Sequence, residues 1–289
     1  MKRGGLAPYL FILPAGLLLT LFVLYPMASL VVVSLNRWNI LRDEMVWVGL
    51  ANYRTLFAEG EFAHALVNTV YFTAVTVPVG MALSLGLALL LDTKLRGVGL
   101  LRTMVFTPVV TSSVAAGIVF VWLLDTDQGL VNAVLGRLGM TPVPWLQSER
   151  WAMPAVILMT LWKQAGYNMV LFLAGLSGIP ETYYEAAALD GAGTGWRRFR
   201  HVTWPLLWPT TFFVLVVSVI HAFRAFEPMY VMTRGGPVGS TTTLVYYVFD
   251  RAFRFGDMGG AAAASVIMAG VVLALTWLQM RARGEETGP

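Results

Sequence analysis

The chain has 289 residues, of which 57% are apolar and 12% charged, with a formal charge of +4 and a mean hydropathy of +0.68. A soluble domain carries about 25% charged residues, so these figures exclude an ordinary globular protein and describe a polytopic membrane protein. The charge is too small and too scattered for a nucleic-acid partner, and without cysteine there is no thiol chemistry and no cysteine-bound metal.

In lipid the backbone must satisfy its own hydrogen bonds, which leaves helices or closed barrels. Barrel strands alternate over segments of about ten residues. The apolar runs here are about twenty long, the length a spanning helix needs. The sequence therefore predicts an all-α polytopic membrane protein, with six transmembrane helices in one domain covering 1–289.

The first run, 9–35, follows Lys2 and Arg3. A signal peptide starts the same way, but its apolar core is only about 7–15 residues, so the run reads as an uncleaved spanning helix. Residues 36–65 are polar, contain WVGLANYRTLF, and have room for a short helix or two. The second run, 66–91, holds Pro78, which should kink it. The third, 103–124, holds Pro108 and a polar patch at Thr107, Thr111, Ser112 and Ser113. A long polar segment separates it from the fourth, 152–173. The polar stretch 181–209 leads into the fifth, 206–232. A further polar segment, 233–260, precedes the sixth, 261–280.

Six runs put both termini on one side. The termini, the short loop after the second run and the 181–209 stretch hold Lys2, Arg3, Lys94, Arg96, Arg102, Arg197, Arg198, Arg200, Arg281 and Arg283. The three other loops, longer in total, hold Arg37, Arg42, Arg54, Arg137, Arg150, Arg234, Arg251 and Arg254. This modest bias puts the termini and the 181–209 stretch in the cytoplasm.

Glu185 to Pro209 is a charged interruption between two apolar runs. Glu185, Ala186, Ala187, Ala188 and Leu189 are good helix formers. Gly191 and Gly193 mark a stop or sharp turn. Trp196 to Trp204 then forms a second amphipathic piece, which Pro205 should end.

Ionisable groups within the apolar runs are Lys163, His221, Arg224 and Glu227. Such groups are costly at membrane depth and face a cavity, a partner or one another. Thr160, Lys163, Gln164 and Tyr167 recur at one helix face, as do Ser218, His221, Ala222 and Ala225. Arg224 and Glu227, three apart, lie beside the second face and can pair. Structural readings stand beside a solute path: an Arg224–Glu227 ion pair, a Lys163 that snorkels or pairs across a subunit interface, and hydroxyls of Thr160 and Ser218 bonded to their own helix. The chain has no phosphate-binding G-x-x-x-x-G-K-[ST] loop, no H-E-x-x-H and no G-x-S-x-G. It carries no catalytic or metal-binding motif, so an intramembrane enzyme has nothing behind it.

Glu185-Ala186-Ala187, three residues, Gly191, then Phe199, Val202, Pro205 and Pro209 resembles the EAA loop of ABC importer permeases. LPAGLLLTLFVLYP, WVGLANYRTLF, NTVYFT, LRGVGLLRTMVFTP and TRGGPVGSTT extend the resemblance over nearly the whole chain. It is similar to transmembrane permease subunits of binding-protein-dependent carbohydrate ABC importers, the MetI-like sugar permeases. The resemblance implies a type I permease fold, with a five-helix core after the first helix, in a bacterial or archaeal cytoplasmic membrane. It implies a heterodimer with a second permease, two ATPase subunits below and an extracytoplasmic solute-binding protein above. The solute would be a di- or oligosaccharide or an amino sugar, moved by alternating access. The chain itself would hold no cofactor; ATP and Mg would be bound by the ATPase partner. Glu185, Ala186, Ala187, Asp190, Gly191, Ala192, Phe199 and Pro205 would couple to the ATPase. Solute would pass Thr160, Lys163, Gln164, Tyr167, Ser218, His221, Ala222 and Ala225, with Arg224 and Glu227 nearby. A glycerol phosphate or glycerophosphodiester importer is the alternative, because Lys163 and Arg224 suit a phosphate while Glu227 partly cancels them. A membrane scaffold with purely structural polar faces is the reading outside transport.

Overall fold

The computed structural model describes residues 7–39, 44–93 and 95–286. Lys2, Arg3, Arg42 and Lys94, counted above for orientation, lie outside the described residues, as does the Arg283 side chain. The chain divides into two compact units. One comprises the chain up to Ala63 together with Tyr247–Trp277, and the other His64–Tyr246 with the end of the chain.

The first unit opens with α1 (Ala7–Leu19), a π turn at Thr20–Leu24 and α2 (Tyr25–Ser34). The π turn has a local cause. Pro26 has no N–H, and its ring crowds the carbonyl four residues back. The wider turn, in which Tyr25 N donates to Thr20 O, makes room for it. A two-stranded antiparallel ribbon follows, β1 (Asn36–Asn39) against β2 (Glu44–Trp47), with Asn36 opposite Trp47. A short helix or two was expected over 36–65, and Ala51–Ala58 is one; the ribbon was not foreseen, because four-residue strands leave no signal in a hydropathy window. Helix α3 (Ala51–Ala58) docks on the ribbon through Asn52, whose amide donates to Ser34 O at 2.8 Å and Asn36 O at 2.9 Å. In the same unit Arg251 pairs with Glu59 and, at 2.8 Å, with Asp257, and lies over the Tyr247 ring. Burial, then the nearby Glu61 and Asp257 carboxylates, push the Tyr247 phenol up to about 12.

The second unit holds most of α4 (Gly60–Leu91), which runs unbroken through Pro78. It continues with α5 (Val98–Val110), α6 (Ser113–Leu123), α7 (Leu130–Arg137) and α8 (Glu149–Ser177). Then come α9 (Glu181–Leu189), α10 (Gly195–Arg198), a π turn at Phe199–Thr203, α11 (Trp204–Phe223) and α12 (Glu227–Met232). Within α13 (Leu244–Phe249) the chain returns to the first unit, which takes the π turn at Asp250–Arg254 and α14 (Met258–Glu286) as far as Trp277. Among the described residues five helices are long and apolar enough to span a membrane. The α5–α6 pair makes a sixth span if counted as one.

Three predicted boundaries need correction. The third run is not one straight helix: α5 and α6 meet at 98° across Thr111–Ser112. The fifth run does not continue to 232; α11 stops at Phe223, because Pro228 lacks an N–H and its ring opposes helix at Arg224. Pro205 does not end the helix before it. The Phe199–Thr203 turn, closed by Trp204 N on Phe199 O, lets Gly195–Phe223 run as one span.

Two apolar clusters hold this unit together, one around Phe72, Val156, Met159 and Met229, the other around Ala88, Met169, Phe172 and Leu207. Small residues let the backbones approach, as helix packing in lipid favours. A Cβ added at Gly166 of α8 would stand 2.8 Å from Phe106 Cα of α5. Gly175 of α8 meets Leu207 and Thr210 of α11 in the same way.

Candidate functional site

A cavity of about 330 Å³ opens where α6, α8 and the α11–α12 break converge. Its wall holds Ser113, Thr160, Lys163, Gln164, His221, Arg224, Ala225 and Glu227, backed by Met159 and Pro228. The two polar faces predicted from spacing thus meet, but not along their full length. Tyr167, a turn below, stacks on His221 with ring centroids 6.3 Å apart. Ser218 is buried and accepts from Asn168 Nδ2 at 3.3 Å, and Ala222 belongs to the apolar core. None of these three lines the cavity. Periodicity alone missed Met159, Ser113 and Pro228. Pro228, four residues after Arg224, was the readable sign that the helix breaks there.

The charged groups do not pair as expected. Arg224 caps the end of α11 and Glu227 starts α12, so they do not share a helix face. Among the described residues neither has an ion-pair partner; ion pairs instead join Arg251 to Glu59, Arg251 to Asp257, and Arg254 to Asp250. Lys163 neither snorkels nor bonds a carboxylate. Its Nζ lies 2.6 Å from Thr111 O, 3.3 Å from Pro108 O and 3.5 Å from Val109 O. Thr160 donates to Val156 O at 2.8 Å, its own helix.

The second candidate site is the stretch between α8 and α11. Gly191 has φ +78°, the left-handed conformation that favours glycine. Ala192 N donates to Ala187 O at 2.7 Å and Gly191 N to Ala188 O at 3.3 Å. These bonds are the Schellman pattern that ends a helix at a glycine. Glu185, Ala186 and Asp190 are exposed on α9, while Ala187 is buried. Beyond the turn, Trp196, Phe199, Trp204 and Trp208 form a ladder of ring contacts 5.3–6.2 Å apart. Arg198 lies over the Tyr184 ring at 5.3 Å, tying α10 to α9. Leu189 is 91% and Trp196 69% exposed. Bare apolar tips thus stand beside charge on this exposed elbow.

A polar cavity between two spans, and a capped, exposed elbow joining those spans, are the parts a membrane transport subunit needs. Residues 80–281 match the model of the binding-protein-dependent transport system inner membrane component. The chain is 36% identical to the arabinooligosaccharides transport system permease protein AraP of Bacillus subtilis, over 98% of this chain and 90% of that protein. It is 37% identical to the sn-glycerol-3-phosphate transport system permease protein UgpA of Agrobacterium fabrum, over 95% and 93%. A chain of the bacterial ABC transporter that imports the acidic polysaccharide alginate superposes with a TM-score of 0.86 at 25% identity, covering 98% of this chain and 96% of that one. The chain belongs to the inner membrane components of binding-protein-dependent transport systems, and it has the type I ABC importer permease fold.

Proposed function

We propose that the chain is one permease half of an ATP-driven importer that carries a sugar, a di- or oligosaccharide or an amino sugar, through the cavity between α8 and α11. The cavity carries the reading. Gln164, His221, Arg224, Glu227 and Ser113 offer donors and acceptors of both signs, which suits a neutral polyhydroxylated solute. A glycerol phosphate is less well served. Of the two cations it needs, Lys163 already donates to three carbonyls, and Arg224 shares its wall with Glu227.

A second permease completes the pathway, two ATPase subunits bind ATP and Mg on the cytoplasmic side, and an extracytoplasmic binding protein delivers solute. The termini then lie in the cytoplasm of a bacterial or archaeal cell. ATP-driven closure of the ATPase pair moves the α9–α10 elbow, which alternates the cavity between outward and inward access. Glu185 and Asp190 present the polar contacts, Ala186 lies exposed between them, and Gly191 sets the turn.

The test is ATPase activity of the reconstituted complex, with the binding protein loaded in turn with disaccharides, amino sugars and glycerol phosphates. Stimulation by a sugar-loaded form is expected. A Gly191→Leu substitution should abolish it with assembly intact. Open space surrounds Gly191, so the side chain fits, but its backbone conformation costs a non-glycine residue about 1–2 kcal/mol. Stimulation by glycerol phosphate alone, or full coupling in Gly191→Leu, refutes the corresponding half of the reading.

A further inference from the structure

We propose that Lys163 is a positioning residue: it holds the bend between α5 and α6, and with it the Ser113 wall of the cavity, and it is not a solute ligand. The last carbonyls of a helix have no donors within that helix. A bend of 98° at Thr111–Ser112 leaves those of α5 in this condition inside the span. At membrane depth such backbone is tolerated only where protein or a water-filled cavity meets it, and here it stands beside the cavity.

Thr111 answers part of the need: its N and its Oγ1 both donate to Pro108 O, at 3.3 and 2.7 Å. The rest comes from another helix. Lys163 extends from α8 and brings its Nζ within 3.5 Å of Thr111 O, Pro108 O and Val109 O together. An ammonium has three donors and no acceptor, so this cradle uses it fully. Its charge also sits at the negative end of the α5 dipole. Ser112 starts α6 in an extended conformation, and Ser113 next to it lines the cavity. Remove the ammonium, and the freed carbonyls regain partners most readily if α5 and α6 straighten into one helix. Ser113 then leaves the cavity wall.

The chain has no cysteine, so two introduced thiols report the bend. Leu100 on α5 and Trp122 on α6 are 62% and 76% exposed. At about 1.5 Å rise per residue, the observed bend puts their backbones about 22 Å apart and a straight helix about 33 Å. Spin labels at Leu100→Cys and Trp122→Cys are read in the assembled complex, in lipid nanodiscs, with cysteine-free partner subunits. The shorter of the two separations is expected with Lys163 present. Lys163→Met should lengthen or broaden the distribution toward the straight-helix separation, a shift of about one half. Lys163→Arg keeps a cation with several donors and should hold the short distance. Where Lys163→Met does not assemble, Lys163→Gln is read with the same labels and the same expectation. A narrow distribution at the short distance without the ammonium overturns the proposal, as does lengthening in Lys163→Arg equal to that in Lys163→Met. No solute enters the measurement, so its outcome is independent of the sugar reading.

Discussion

Replacing Gly166 with alanine should destabilise the chain by about 1–2 kcal/mol, because overpacking outweighs the intrinsic preference of a helix for alanine. A Cβ at this position stands 2.8 Å from Phe106 Cα and 3.0 Å from Val105 C. Carbon atoms settle at about 3.5–4.0 Å, so α5 must retreat by roughly 0.5–1 Å. The obstacle is backbone and cannot rotate aside. Overpacking of this kind costs about 1–3 kcal/mol, and the propensity gain of about 0.5–1 kcal/mol offsets only part of it. Gly86 on α4 has nothing within 4 Å, so Gly86→Ala keeps the gain without the cost. The two alanines should therefore move stability in opposite directions, about 2 kcal/mol apart. Thermal unfolding of each variant in nanodiscs, followed by fluorescence of the ten tryptophans, measures the difference. A Gly166→Ala protein that melts at or above the Gly86→Ala protein would show that α5 and α8 do not pack backbone to backbone.

Other outcomes follow from particular side chains. The Tyr247 phenol, pushed up from 10.0 to about 12 in the folded chain, keeps its proton where the unfolded chain loses it. That stability is fully present below pH 10 and is lost as pH rises toward 12. Melting temperature should thus fall across that window more steeply in the wild type than in Tyr247→Phe; equal slopes would remove Tyr247 from the account. Asn132 accepts from Val143 N at 3.1 Å and Trp145 Nε1 at 3.0 Å, and donates to Thr126 O and Val143 O. Asn132→Ala should cost about 2–3 kcal/mol and expose residues 138–147 to protease, whereas unchanged digestion would contradict it. Asn68 donates to Gly239 O at 2.9 Å and Thr242 O at 3.0 Å. Asn68→Leu should speed amide exchange in 233–243 by about thirtyfold, the equivalent of about 2 kcal/mol, and unaltered exchange would mean the loop is held elsewhere.

The spanning helices were legible because lipid permits so few backbone solutions that a twenty-residue apolar run has one meaning. The ends of those helices were not. Pro205 reads as a stop, yet the Phe199–Thr203 turn absorbs it, and Pro26 is absorbed by Thr20–Leu24 in the same way. Pro108 lies inside the third run, yet α5 continues through it and breaks at Thr111–Ser112. The stabilising group is Lys163, far along the chain, which no local rule can see. Spacing correctly put Thr160, Lys163 and Gln164 on one face, and His221 and Ala225 on another. It could not say where each face stops being cavity and becomes core, because that depends on what packs opposite. Ser218 shows this: Asn168, from the facing helix, takes its hydroxyl. The elbow was easier, since Gly191 and its Schellman bonds lie within six residues of one another.

The unbroken span Gly195–Phe223 also sets a mechanical ratio. At about 1.5 Å per residue, Trp196 lies about 8 Å from the middle of the π turn and His221 about 30 Å from it on the other side. If the rod pivots there, a sideways push of about 1 Å on the exposed tryptophan becomes about 4 Å at His221. The same gearing runs in reverse. On the proposed solute path, a solute resting against His221 would work on the long arm, and a small force there would balance a roughly fourfold larger one at Trp196.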